Sequence, residues 1–338
     1  MKAIQIIDKG VAQVIEQEKP TIKPGHVLLK IHYVGFCGSD LNTFRGLNPL
    51  VKMPIIPGHE IGAQVLEVGE GVPGVIAPGV HCTVNPYTNC GHCAACASGH
   101  PNACEYNETL GVQRQGAMAD FLLVPWQKVI ADNEITPRDF ALVEPMSVGF
   151  HAVNRAQVTD SDTVMVFGCG MIGVGAIVRA SLRGARVIAV DIDDEKLALA
   201  QQLGAHYTIN SMNESLHERL QSITLGEGPN VVIEAVGRPE TYVAAINEVA
   251  FSGRVVCIGY AKQDIAFNTS YFVKKEMTIR GSRNAMPSDF KAVMEYLKRG
   301  TCPLDRLISD IVVPEKAQEA LEGWMANPGK IFRILVKF

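Results

Sequence analysis

No stretch of this 338-residue chain is apolar and long enough to span a membrane as a helix. The longest uncharged run, Thr163 to Val178, stops short of the ~20 residues a span needs and is interrupted by glycines. Charge of one sign is also missing: 31 Lys and Arg against 35 Asp and Glu leave a net charge of −4. That balance gives no electrostatic ground for nucleic acid or an anionic membrane as partner. The first residues lack the apolar core of a secretion signal, because Asp8 and Lys9 interrupt it. Internal repeats and low-complexity segments are absent as well. The expectation is a soluble, cytoplasmic protein. At 47% apolar and 20% charged residues the composition is globular. The length favours two domains, since single cores split beyond ~250–300 residues.

Nine cysteines are present, in a chain too long and too little like a secreted domain for a disulfide framework. Four of them, Cys90, Cys93, Cys96 and Cys104, form C-x2-C-x2-C-x7-C, tight enough to close a tetrahedral thiolate shell around one Zn²⁺. A zinc ribbon for nucleic acid would need basic residues, yet Pro86 to Glu108 contains no Lys or Arg. His92 is then a loop residue, and the shell is structural. Cys82, Cys169, Cys257 and Cys302 read as small buried hydrophobes.

A different set of donors is scattered upstream and downstream. Cys37 lies in Cys37-Gly38-Ser39-Asp40, His59 in Gly58-His59-Glu60, and a further acid in Glu144-Pro145. One thiolate, one imidazole and one carboxylate would leave a fourth metal position open. Spacing alone does not unite these residues, and His59 by itself is equally a core histidine.

The first ~150 residues read as β-rich, with strand runs at Met1–Ile7, Val11–Glu16 and Val27–Phe36 punctuated by Pro and Gly. From about Ser161 the pattern alternates. Strands are expected at Thr163–Phe167, Arg186–Val190, Tyr207–Ile209, Val231–Glu234, Val255–Ile258 and Met277–Arg280. Helices are expected at Ile172–Leu182 and Asp194–Leu203. This is the pattern of a doubly wound parallel sheet. A helix over Ser288–Arg299 and a strand over Ile331–Phe338 follow, and this last segment could pack back on the first domain.

Between the first such strand and helix lies Gly168-Cys169-Gly170-Met171-Ile172-Gly173, a G-x-G-x-x-G in the context a dinucleotide site requires. Gly168 permits the turn, Gly170 the approach of a pyrophosphate, and Gly173 the close packing of helix on strand. Asp191 ends the second strand, where a carboxylate accepts from an adenosine ribose and repels the extra phosphate of NADP. Residues Ile192 to Glu195 add three acids and no arginine, so NAD is expected. Lys196 either faces the ribose or lies on a solvated helix face.

Taken together, Cys37-Gly-Ser-Asp, Gly58-His-Glu, the four-cysteine lobe, Glu144-Pro145 and the glycine fingerprint resemble the zinc-dependent medium-chain alcohol/polyol dehydrogenases, in the family's order and over essentially the whole chain. The resemblance implies an α/β fold: a GroES-like β-rich catalytic domain (1–150, with the zinc lobe at 86–108), a Rossmann domain with a doubly wound parallel sheet (151–285), and a C-terminal segment (286–338) returning to the catalytic domain. It implies two zinc ions per chain, with Cys37, His59 and either Glu60 or Glu144 holding the catalytic one. Ile258 and Gly259 join the cofactor residues. Ser39 is suited to pass a proton outward, or else it caps the helix that Asp40 begins. Many relatives carry a histidine where this chain has Asn42, which cannot titrate near pH 7, so the outer relay differs here. Dimers or tetramers are common in the family.

The segment from Lys274 to Phe290 looks like that of bacterial L-galactonate and L-gulonate 5-dehydrogenases. Arg283 and Asn284 match substrate-proximal positions in polyol dehydrogenases. A guanidinium can clamp a carboxylate with two parallel hydrogen bonds, which suits a sugar acid. Equally, Arg283 could pair with an acid or touch the cofactor. The expected reaction is transfer of a hydride from a secondary alcohol of a sugar acid or polyol to NAD⁺. The alternatives are an L-threonine 3-dehydrogenase and a non-catalytic zinc- and nucleotide-binding regulator on the same fold.

Overall fold

The computed structural model describes residues 1–338, which divide into two units: Met1–Glu144 with Val293–Phe338, and Pro145–Ala292. The first unit opens with an antiparallel hairpin of β1 (Lys2–Asp8) and β2 (Val11–Glu16). Its main sheet is built from β3 (His26–Gly35), β4 (Glu60–Val68), β5 (His81–Val84), β6 (Phe121–Pro125) and β7 (Val129–Ala131). The centre is the long antiparallel pair β3–β4, where β-branched residues such as Val27, Ile31, Val34 and Ile61 are fully enclosed.

The second unit holds β8 (Thr163–Phe167), β9 (Arg186–Asp191), β10 (Tyr207–Asn210), β11 (Val231–Glu234), β12 (Arg254–Cys257) and β13 (Thr278–Gly281). All are parallel, in the order β10-β9-β8-β11-β12-β13. Counted within this unit the order is 3-2-1-4-5-6, the doubly wound arrangement whose switch point lies between the first and fourth strands. Strands such as Val164–Val166 and Val231–Ile233 are near-continuous apolar runs because both faces of a parallel sheet are covered.

The chain then returns to the first unit as β14 (Asp310–Val312) and β15 (Ile334–Lys337), and β15 pairs antiparallel with β3, placing Leu335 opposite Gly35. Leu321, Trp324, Ile334 and Val336 from this return enter the same core as Phe36, Phe44 and Met118. At ~1.5–3 kcal/mol for each large buried side chain, the return is integral to that core. The terminal strand is shorter than the expected Ile331–Phe338. Chain in the region of Arg333 instead turns its side chain onto the site described below.

The unit boundaries fall at Glu144 and Val293, where the sequence suggested 150 and 286. Each boundary cuts a helix. In Val143–Arg155, Ala152 and Val153 pack with Val164 and Val166 of the second unit. In Pro287–Lys298, Asp289 binds His151 (2.8 Å), whereas Lys298 binds Asp132 (2.5 Å) in the first unit. Composition changes near these helices, but the side chains of a single helix can serve two cores.

No helix is long and apolar enough to cross a membrane. At the N-terminal edge of the parallel sheet, Arg254 donates to the Ala156 and Gln157 carbonyls (2.9 Å each) and to Asp162, which also accepts from the Thr159 N–H (2.7 Å). Removing the acid strands a largely buried guanidinium. Asp162→Ala is therefore expected to destabilise the second unit by about 3 kcal/mol, read as a lowered urea midpoint at unchanged slope.

Candidate active site

Two clusters of metal-ligating side chains assemble, both in the first unit. In the first, one ligand atom from each of Cys90, Cys93, Cys96 and Cys104 lies within 4.8 Å of the others. Two of the Sγ–Sγ separations are 4.0 Å (Cys90–Cys96) and 3.9 Å (Cys93–Cys104), and all four cysteines are free thiols. A tetrahedron with Zn–S bonds of ~2.3 Å has edges of about 3.8 Å, so these thiols fit one zinc ion. Backbone N–H groups point at the sulfurs, from Cys93 to Cys90 and from Cys90 to Cys104 (3.3 Å each). Such donors favour thiolates, and the backbone at Cys96 and Glu105 holds the Cys93 thiol down to about 6.

The second cluster is Cys37, His59 and Glu60, again with one ligand atom each inside 4.8 Å. Strand pairing builds it. Gly35 ends β3 opposite Glu60 at the start of β4, and a Cβ on Gly35 would fall 2.2 Å from Glu60 Oε2, so a larger residue there would displace the carboxyl from its present place. Cys37 immediately precedes the helix Gly38–Phe44, and its N–H donates to Asp40 Oδ2 (2.9 Å). This corrects the alternative that Ser39 caps a helix begun at Asp40. The helix starts at Gly38 with Cys37 as its N-cap and Asp40 closing the capping box, and Ser39 Oγ is buried without a hydrogen-bond partner.

Glu60 is fully enclosed and neither carboxyl oxygen has a hydrogen-bond partner. Arg333 Nη1 lies 3.1 Å from Oε1, near enough for an ion pair but misaligned for a hydrogen bond, because it donates to the Phe36 carbonyl. Burial pushes the Glu60 carboxyl well above the usual range, opposed by Arg333. Burial also raises the Cys37 thiol, but the neighbouring His59 and Arg333 outweigh it and bring it below its ordinary value. His59 is displaced upward, because Cys37, Asp40 and Glu144 more than cancel the effect of its burial. Three converging donors, two of them with unpartnered buried polar atoms (His59 Nδ1 and the Glu60 oxygens), fit a divalent cation. Thiolate, imidazole and carboxylate together suit zinc with one position free.

Glu144 stands outside this trio. It is buried on the helix Val143–Arg155, and its Oε1 accepts the hydroxyl of Tyr87, also buried. Burial, then the Glu144 charge, pushes the Tyr87 phenol well above its usual range. Sequence reasoning missed Tyr87 and Arg333 altogether and passed over Asp40 as part of a motif. No spacing announces them, for they come from a loop and a returning segment. Asn42 is half-buried one turn into the helix that carries Ser39.

In the second unit Gly168 follows β8 with φ +88°, a conformation few L side chains adopt. Gly170 caps the helix Met171–Leu182 and faces open space, and a Cβ on Gly173 would meet the Gly168 carbonyl at 1.7 Å. Ile172 is half-buried in the first turn. The helix N-terminus thus presents backbone N–H groups and a positive dipole end, as pyrophosphate binding requires. Asp191 ends β9 with Oδ2 on the Cys169 N–H (2.6 Å) and Oδ1 on the Ile192 N–H (2.7 Å), so it is locked beside the glycine turn. Lys196 is half-buried in the next helix, whose cap is Asp193. Ile258 and Gly259 follow β12, tied to the Glu234 carbonyl at 2.9 and 3.3 Å. Arg283 and Asn284 follow β13. Arg283 is exposed, and Asn284 is half-buried with φ +55°.

Residues 23–134 match the alcohol dehydrogenase GroES-like domain and residues 172–299 the zinc-binding dehydrogenase domain. The chain belongs to the zinc-type alcohol and polyol dehydrogenases. It is 32% identical to L-galactonate-5-dehydrogenase of Escherichia coli, over 96% of this chain and 95% of that protein. To L-threonine 3-dehydrogenase of Pyrococcus abyssi it is 31% identical, over 96% and 95%. Among solved structures, the alcohol dehydrogenase rspB from Escherichia coli CFT073, complexed with NADH, superposes with a TM-score of 0.91 at 28% identity, over 100% of this chain and 99% of that one. A zinc-binding dehydrogenase of Sinorhizobium meliloti 1021 bound to NADP gives 0.91 at 27%, over 100% and 99%. The fold is thus a GroES-like domain with a Rossmann-type parallel-sheet domain, and the protein an oxidoreductase of a zinc- and nicotinamide-dependent family.

Gly173→Ala forces the Gly168 carbonyl out of the turn. Binding of reduced nicotinamide nucleotide, followed by fluorescence, is expected to weaken at least about tenfold, in line with loss of ~1.4 kcal/mol or more.

Proposed function

We propose that this protein oxidises a secondary alcohol of a sugar acid or polyol, of the L-galactonate or L-gulonate type, with NAD⁺ as acceptor and two zinc ions per chain. The observation that carries the chemistry is the buried Glu60 carboxyl, ion-paired with Arg333 but accepting no hydrogen bond, beside Cys37 and His59, a set of three donors that leaves a fourth metal position for a hydroxyl. The ion, when bound, supplies Lewis acidity that lowers an alcohol's pKa, and nicotinamide supplies the hydride acceptor.

The remaining work belongs to the chain. Cys37, His59 and Glu60 would hold the ion, His59 and Glu60 from buried positions and Cys37 from a half-buried one. Ser39 Oγ, buried and without a hydrogen-bond partner, receives the hydroxyl proton and hands it outward. Asn42 cannot carry it further by titration, so the outer path runs through water. Gly168, Gly170, Ile172 and Gly173 seat the pyrophosphate, with Lys196, Ile258 and Gly259 completing the cofactor cradle. Asp191 receives the ribose hydroxyls and disfavours a 2′-phosphate, which supports NAD over NADP. Cys90, Cys93, Cys96 and Cys104 hold the second, structural zinc. Arg283 clamps the substrate carboxylate, with Asn284 beside it in sequence. The open edge of the parallel sheet at β13 supports assembly into dimers or tetramers.

A panel of sugar acids, polyols and L-threonine assayed with NAD⁺ and NADP⁺, with zinc measured on the same preparation, tests the reading. The expected result is two zincs per chain, higher kcat/KM with NAD⁺, and a sugar acid or polyol as best substrate. L-threonine as best substrate would replace the substrate assignment. The metal roles separate by variant: Cys104→Ser is expected to lose one zinc and lower Tm, whereas Cys37→Ser loses one zinc and all activity at nearly unchanged Tm.

For the clamp, Arg283→Ala is expected to lower kcat/KM for a sugar acid by about 100-fold or more, equivalent to ~2.7 kcal/mol for a charge-assisted bidentate pair. The corresponding uncharged polyol should change little. Equal losses on both substrates would remove the carboxylate role.

A further inference from the structure

A fully enclosed carboxyl also lies in the second unit, at the end of β11. Glu234 pairs across the sheet with Phe167 of β8, the residue before Gly168, and with Cys257 of β12. In a doubly wound sheet the first and fourth strands flank the switch point, and a dinucleotide binds in the crevice outside their carboxyl ends. Glu234 therefore lies under the floor of that crevice.

Its two oxygens differ. Oε1 accepts from the Val236 N–H (2.9 Å), the Gly237 N–H (2.8 Å) and the Thr241 hydroxyl (2.7 Å), whereas Oε2 is buried without a hydrogen-bond partner. Three donors on one oxygen fold the Val236–Gly237 turn over the strand end and tie it to the first turn of the helix Pro239–Glu248. The turn is wedged between two parts of the cofactor cradle. A Cβ on Gly168 would meet Val236 Cγ2 at 2.8 Å, and one on Gly259 would fall 2.3 Å from the Gly237 nitrogen. The loop after β12 is tied to the same helix, because the Tyr242 hydroxyl donates to the Gly259 carbonyl.

We propose that Glu234 is a positioning residue for the nicotinamide half of the cofactor: Oε1 fixes the Val236–Gly237 turn, and through the Gly237–Gly259 contact the loop after β12, in the shape that receives nicotinamide and its ribose. This rests on the reading of Gly168 to Gly173 as the dinucleotide turn. A doubly wound sheet is two mononucleotide-binding halves, and the half with β8, β9 and Asp191 takes the adenosine. The loops after β11 and β12 belong to the other half. Without Oε1 the two N–H groups of the turn lose their acceptor, and the turn is no longer held in place.

The test measures the Kd of the full chain for NADH, by fluorescence, and for AMP, which carries the adenosine half alone, by calorimetry. Glu234→Ala is expected to bind NADH at least about tenfold more weakly, with AMP affinity within about twofold of wild type. Glu234→Gln keeps an oxygen for the three donors and is expected to hold NADH within about threefold of wild type. An acid that merely stabilised the unit would move both ligands together, along with Tm. Parallel losses of NADH and AMP in Glu234→Ala, unchanged NADH binding in that variant, or a Glu234→Gln as weak as Glu234→Ala overturns the proposal. Should either variant fail to fold, Thr241→Val decides: loss of one donor is expected to weaken NADH about threefold or more and leave AMP unchanged, and the absence of such a selective loss overturns the proposal. If the wild type binds neither AMP nor NADH, it is the dinucleotide reading that fails, and the proposal falls with it.

Discussion

A carboxyl group sealed from water either keeps its proton or is met by positive charge, and the first unit brings positive charge to Glu60 against the burial that favours its protonated form. An ionised carboxylate taken out of water costs several kcal/mol even after relaxation. Space for it comes from the missing side chain of Gly35 across the β3–β4 pair. Charge comes from Arg333, held at 3.1 Å by its bond to the Phe36 carbonyl, and from the cation the three donors would share. His59 and Cys37 follow from the same geometry. One sits beside Glu60 on the chain, and the other lies two residues past Gly35 at the mouth of a helix.

The second unit answers a different constraint, that of bringing backbone close to phosphate. Gly168 and Gly173 leave no room for side chains where helix and strand meet, and Asp191 is tied to the turn it flanks. In the reading proposed here the labour is divided: the first unit would supply donors for a metal, and the second backbone N–H groups for a nucleotide.

Much of this was legible in the sequence because it is written in local spacing. The four cysteines, the glycine fingerprint and the strand at Thr163–Phe167 declare themselves within a few residues, where distance along the chain fixes distance in space. Cys37, His59 and Glu60 were each visible, but they are joined by strand register, which spacing does not encode, and the family resemblance supplied the link. Between Glu60 and Glu144 the sequence offered no choice. Strand register brings Glu60, opposite Gly35, into the cluster with Cys37 and His59, and register is not written in spacing. Arg333 was invisible for a related reason, since its partner lies on the far side of an entire domain in sequence. The helices Val143–Arg155 and Pro287–Lys298 blurred the domain limits because one helix can face two cores.

The returning strand carries a consequence for the order in which the molecule becomes competent. Glu60 emerges early in synthesis and Arg333 only after the whole nucleotide-binding unit has been made. Through that interval β3 has an unpaired edge where β15 will lie, and the acid at its end lacks its guanidinium. The catalytic sheet is thus finished from behind, by residues that follow the second unit. The nucleotide-binding fold, contiguous from Pro145 to Ala292, can form while its neighbour is still waiting. Domain insertion here acts as a clock: the parallel-sheet unit is complete in the chain before the last strand of the other unit is made.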